Sequence, residues 1–312
     1  MGENPIEKST VTESRPGLLR RSLFGAHGLR AGWRVLIFLA IVVLVSALGS
    51  ALVKHIVPSG HTNALSPIVL LLIESVLAVA IFVATCVMAK TEKRSVWSYG
   101  LSDRRMLTRF SGGMVVGVLL ISAIVGLLWA SRLLVFEREL LIGAAIWAYG
   151  ALWMVQTLVV ALVEESLFRG YILVTLTRGL NFWWAIVITS IVFGAAHAGN
   201  PGETPLGLIN TAMGGFMLGF SLRLTGSLWW AIGMHTALNW SELYLYGITD
   251  SGMLPAEGRL LASHPVGTSV LSGGGMAGPE GSIYFTFAVL AVVGGLWLFW
   301  GRDRMQRSAF PS

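Results

Sequence analysis

Leu141-Ile-Gly-Ala-Ala-Ile-Trp-Ala-Tyr-Gly-Ala-Leu-Trp-Met-Val-Gln-Thr-Leu-Val-Val-Ala-Leu-Val163 is a run of 23 residues without a single charge. As a helix rising about 1.5 Å per residue it is roughly 34 Å long, enough to cross a hydrocarbon core of about 30 Å. Seven more apolar runs stand around it, at Trp33–Val53, Leu65–Ala89, Gly113–Ala130, Phe182–Ala198, Pro205–Leu222, Leu228–Leu245 and Tyr284–Trp300. The reading is an all-α polytopic membrane protein of about eight transmembrane helices, with the bundle over residues 33–300. The composition agrees. Charged residues make up 12% of the 312, against about 25% in a soluble domain. Hydrophobic residues reach 54%, and the mean hydropathy is +0.72. With Cys86 as the only cysteine, a disulfide scaffold is excluded.

The net charge of +6 raises the question of nucleic acid. Distribution answers it. Alternating eight spans from a cytoplasmic start puts 18 of the 22 Lys and Arg inside, leaving Lys54, Arg132, Arg138 and Arg259 outside. That is the positive-inside bias of an integral membrane protein, so no nucleic-acid partner is expected. Both termini are expected in the cytoplasm, and a bacterial chain of this kind would sit in the plasma membrane. Residues 1–32 read as a disordered cytoplasmic tail and 301–312 as a second one. Residues 247–282 read as a long Gly-rich external loop. The pairs Trp183–Trp184 and Trp229–Trp230 at helix starts read as interfacial anchors.

Ionisable groups within spans are costly and mark function by default. Glu74 stands alone in the second run, and Glu242 lies near a helix end, where water is expected within reach. The others fall in three consecutive segments. In Val163-Glu-Glu-Ser-Leu-Phe-Arg-Gly170, the apolar run continues as helix and carries two adjacent carboxylates. Glu165 and Arg169, four apart, share a face in the order that favours an ion pair. Glu164 is rotated about 100° away and left without that partner. His197 closes Phe193-Gly-Ala-Ala-His197, and His235 stands four residues before Asn239 on one helical face.

Depth brings these groups together. With a helix-to-helix turn near Gly179–Asn181, Glu164 and His197 lie about 24–26 Å from it on either arm. From the next turn, near Thr225, Asn239 lies about 21 Å up and His235 one turn shallower. A Glu, two His and an Asn in one layer suit two chemistries. A carboxylate and an imidazole can activate a water while an imidazole and an amide stabilise an oxyanion. Alternatively, Glu164, His197 and His235 form a plausible zinc set with an open position. The sequence contains no His-Glu-x-x-His, no Gly-x-Gly-Asp and no Gly-x-Ser-Gly.

At these residues the chain resembles the CPBP family, the CAAX prenyl endopeptidases and their Abi relatives. Glu164, Glu165 and Arg169 match its Glu-Glu-x-x-x-Arg motif. Phe193 and His197 match Phe-x-x-x-His, and His235 and Asn239 match His-x-x-x-Asn. The resemblance covers about residues 141–245. It implies an intramembrane protease, with a peptide or membrane-protein segment as substrate and membrane lipid as surroundings. Glu164 is then the general base, His197 helps hold the water, and His235 with Asn239 forms the oxyanion site. Glu165, Arg169 and Phe193 support them. The resemblance favours a glutamate-activated water and leaves zinc open. The rival of another class is an immunity or scaffold protein of the same fold without hydrolysis. A transporter would call for inverted repeats, and the two halves show none.

Overall fold

The structure, a computed structural model, describes residues 22–25, 28–56, 66–139, 141–254, 257–266 and 270–301. Most of the tail expected over 1–32 and nearly all of that over 301–312 lie outside these residues. The chain is a polytopic, mostly helical membrane protein. Its helices are α1 (Ala31–Ile56), α2 (Pro67–Thr91), α3 (Met106–Ala130) and α4 (Ala144–Gly179). They continue with α5 (Phe182–Ala196), α6 (Pro205–Thr225), α7 (Trp229–Trp240) and α8 (Ile283–Leu296). Seven helical segments among the described residues are long and apolar enough to cross a membrane. The eighth expected span is α7, only 12 residues long before a π-helical turn, Ser241–Tyr246, extends it.

The turns fall where punctuation in the sequence puts them. Asn181 caps α5 by accepting from the Trp184 N–H at 3.0 Å. Thr204 caps α6 by accepting from the Gly207 N–H, with Pro205 in its first turn. Gly226 ends α6 in the left-handed region at φ 70°. Two short antiparallel pairs complete the fold: β1 (Phe24–Gly25) with β2 (Gly28–Leu29), and β3 (Leu134–Glu139) with β4 (Leu261–Pro265). The second pair ties the α3–α4 connection to residues 247–282. Within that segment, Gly275–Ala277 and Pro279–Gly281 form 3₁₀ turns.

Water cannot drive helices together inside lipid, so close packing by small residues must. At the α3–α7 contact a Cβ on Gly113 would lie 2.2 Å from the Trp230 carbonyl oxygen, and one on Gly233 would lie 2.1 Å from that of Phe110. Only hydrogen fits at either place, and α7 is thereby drawn into the bundle. Residues 230–238 of α7 are all buried. This corrects one expectation. Trp183 and Trp184 are exposed, as anchors should be, but Trp230 is core at 3% exposure. Trp229 donates its Nε1–H to the Leu101 carbonyl at 2.9 Å. Outward, apolar residues such as Leu44, Leu107, Leu119, Trp147 and Phe299 form the lipid-facing surface.

Candidate active site

Helix α4 departs from α geometry where its carboxylates begin. Residues Glu165–Ile172 form a π-helical stretch, a distortion found often at functional sites. Glu165 opens it, fully buried. Its Oε1 accepts from Arg169 Nη1 at 3.0 Å, so the expected ion pair is present. The same oxygen lies 3.0 Å from Nδ1 of His235, on α7. Because Arg169 holds Glu165 as a carboxylate, Nδ1 is the donor and the tautomer is set. His235 Nε2 then faces Glu164, 3.7 Å from its Oε2. That distance is too long for a hydrogen bond, and among the described residues Glu164 Oε2 has no hydrogen-bond partner.

Phe193 organises the back of this constellation. The Arg169 guanidinium carbon sits 4.0 Å from its ring centroid, in cation–π contact. The ring also meets His197 edge-on at 4.9 Å and His235 at 6.4 Å. His197 begins the 3₁₀ turn after α5, and its Nδ1 bonds the Phe193 carbonyl at 2.8 Å. A carbonyl can only accept, so Nδ1 carries the proton and neutral His197 offers Nε2 as an acceptor.

Glu164, His197, His235 and Asn239 all line one cavity of about 260 Å³. The layer inferred from depth is thus a real enclosure, with Glu165, Arg169 and Phe193 behind or beside it. Glu74 stands in the same wall, and no salt bridge among the described residues reaches it. Four carboxylates line the cavity (Glu74, Glu164, Asp250, Glu280) and no Lys or Arg does.

Several lining residues escape a reading of the sequence. Gln156, two turns before Glu164, is buried with its Oε1 unpartnered. It was visible as a polar residue inside the 23-residue run. Asn200 donates its Nδ2–H to the Ser251 carbonyl at 2.7 Å. Asp250, Ser251 and Glu280 come from the Gly-rich connection, which carries no pattern that points inward. Burial and the neighbouring Glu280 push the Asp250 carboxyl well above its ordinary range. Glu242 reverses its expectation: it is fully buried, with Asp250 and Glu280 of the following connection against it.

The zinc reading of Glu164, His197 and His235 requires their donor atoms to converge. Among the described residues, the one trio of such side chains whose ligand atoms lie within 4.8 Å of one another is Glu242, Asp250 and Glu280. The first trio does not fit a metal as placed.

Residues 145–241 match the family described as type II CAAX prenyl endopeptidase Rce1-like. The match takes in all three motifs and agrees with the CPBP resemblance they carry. It begins in the first turn of α4 and ends at the close of α7, so the matched segment holds every motif residue named above. The chain is an integral membrane protein, and the matched segment contributes Glu164, His197, His235 and Asn239 to the cavity wall. No curated protein and no solved structure matches the chain.

Proposed function

We propose that the chain is an intramembrane endopeptidase that cleaves a membrane-associated peptide or protein segment with a water activated by Glu164. One observation carries the reading. An unpartnered carboxylate oxygen faces a histidine whose other nitrogen is held by a buried Glu–Arg pair, at the wall of a cavity within the bundle.

In this mechanism Glu164 takes a proton from water, whose position the His197 Nε2 lone pair helps fix. The resulting hydroxide attacks the scissile carbonyl carbon, and the C=O π electrons move onto oxygen. Asn239 donates an amide N–H to that oxyanion. His235 can donate only through Nε2, since Nδ1–H serves Glu165, so it acts as the doubly protonated ring. Collapse of the tetrahedral intermediate expels the amine, which takes the proton held by Glu164. Preorganised donors in a site of this kind contribute a large share of the rate.

The bias of basic residues supports an orientation with both termini in the cytoplasm, and thus the 247–282 connection on the opposite side. The test compares membrane peptides from cells carrying wild type and Glu164→Gln at equal expression. Fragments that vanish with the variant are the expected products; an unchanged peptide profile would remove Glu164 as base.

A further inference from the structure

The proposed hydrolysis makes no use of Glu242, Asp250 and Glu280. They come from three places: the π turn after α7, the connection that follows it, and the 3₁₀ turn before α8. All three residues are buried, and each offers an oxygen within 4.8 Å of the others. No salt bridge among the described residues reaches any of them. Three carboxylates so close repel one another, and either a cation between them or bound protons must relieve that repulsion.

Glu242 supplies the second observation. It is 0% exposed, neither carboxylate oxygen has a hydrogen-bond partner among the described residues, and its side chain is directed at the other two. A buried carboxylate with no donor on either oxygen is among the costliest arrangements a fold can keep. Glu280, by contrast, is fixed in place. Its Oε2 accepts from the Ser251 N–H at 3.0 Å and from the Ser251 hydroxyl at 2.5 Å. One carboxylate is anchored and another is bare, with Asp250 beside them.

We infer that Glu242, Asp250 and Glu280 bind a hard divalent cation of the calcium type, which pins the 247–282 connection to the end of α7. The donor set is all oxygen and anionic, without Cys or His, which selects calcium-like ions over zinc. Calcium–oxygen bonds of about 2.3–2.6 Å put two oxygens up to about 5 Å apart across one ion, a scale that matches carboxylate oxygens lying within 4.8 Å of one another. Magnesium demands shorter bonds of about 2.0–2.1 Å and a near-ideal octahedron, which a rigid buried trio accommodates less readily. The site differs from the hydrolytic one in its residues and its chemistry. The cation would bear on the cavity directly, because its ligands Asp250 and Glu280 are part of the wall, and through the connection it fixes, which gives Asn200 its acceptor.

The experiment uses the full chain in detergent micelles, stripped of metal with a chelator. Equilibrium dialysis with radioactive calcium should show about one ion per chain, with magnesium and manganese competing less well. Glu242→Gln and Asp250→Asn should each lose that ion, while Glu137→Gln, an exposed carboxylate on β3, should keep it. Calcium should also raise the melting temperature of wild type by several degrees and leave Glu242→Gln unmoved. Wild type that binds no calcium, or binding that survives both substitutions, would overturn the site. So would a Glu242→Gln variant that melts higher than calcium-loaded wild type, since the cluster would then be a set of protonated carboxyls. Because binding is read directly, a failure here is distinct from a failure of the hydrolytic reading, which is tested by peptide cleavage.

Discussion

Glu165 Oε1 and His235 Nδ1 lie 3.0 Å apart across 70 residues of sequence, and Arg169 holds that same oxygen from within its own helix. The arrangement separates two roles for one carboxylate. It balances a buried guanidinium, and it decides which nitrogen of His235 is left to face Glu164. Replacing Glu165 with Gln leaves Arg169 buried without a counter-charge, which costs about 3–5 kcal/mol when a buried pair is broken. Thermal unfolding in detergent should show that loss. The double variant Glu165→Gln/Arg169→Met should recover most of the melting temperature, since a neutral pair of similar size often matches a buried ion pair. It should recover no cleavage, because His235 still lacks its carboxylate. Equal recovery of both would mean that the pair is structural alone.

For Glu164 the two measurements should part in the opposite way. Its Oε2 has no hydrogen-bond partner, and it shares the cavity wall with the Glu74 carboxylate. Neutralising it relieves repulsion and breaks no bond at that oxygen. Glu164→Gln should melt at or above the wild-type temperature while cleavage falls by at least about 100-fold, the usual scale for losing a general base. A variant that unfolds and loses activity together would make Glu164 a structural residue.

The motifs were legible because each is a local spacing. Glu165 and Arg169 sit four apart on one helix, and so do His235 and Asn239; composition alone marks them as polar groups in lipid. Helix length and turn punctuation then give the common depth of Glu164 and His197, since two straight arms of nearly equal length must end at one level. What stayed hidden depends on the third dimension. The His235–Glu165 bond joins two helices whose relative rotation no spacing encodes. Glu242 looked wet because its own helix ends there, yet it is buried with Asp250 and Glu280 against it. Trp230 looked interfacial by position, but the glycines of α3 admit α7 so closely that its indole is enclosed.

Phe193 links the two imidazoles to Arg169 through one ring. Phe193→Leu keeps the apolar volume but removes the π face, so it should cost about 1–2 kcal/mol of stability for a desolvated cation–π contact. Phe193→Tyr keeps the face and should behave more like wild type in melting. If Leu and Tyr melt alike, the ring serves as filler and the cation–π contact contributes nothing.

The last prediction concerns how α7 is held where His235 can work. At Gly113 an added Cβ would sit 2.2 Å from the Trp230 carbonyl oxygen and 2.7 Å from the Met234 nitrogen, one residue before His235. Neither atom belongs to a flexible side chain, so the helices must part. Gly113→Ala should therefore destabilise by about 1–3 kcal/mol, as overpacking does, and reduce cleavage by displacing His235 and Asn239 together. Gly126, on the same helix, has nothing within 4 Å of its would-be Cβ. There the better helix propensity of alanine prevails, and Gly126→Ala should be neutral or stabilising by about 0.5–1 kcal/mol. The pair forms an internal control, since each substitution adds one methyl group to one helix. Melting curves and cleavage rates that moved equally for both would show that the α3–α7 contact does not place the site.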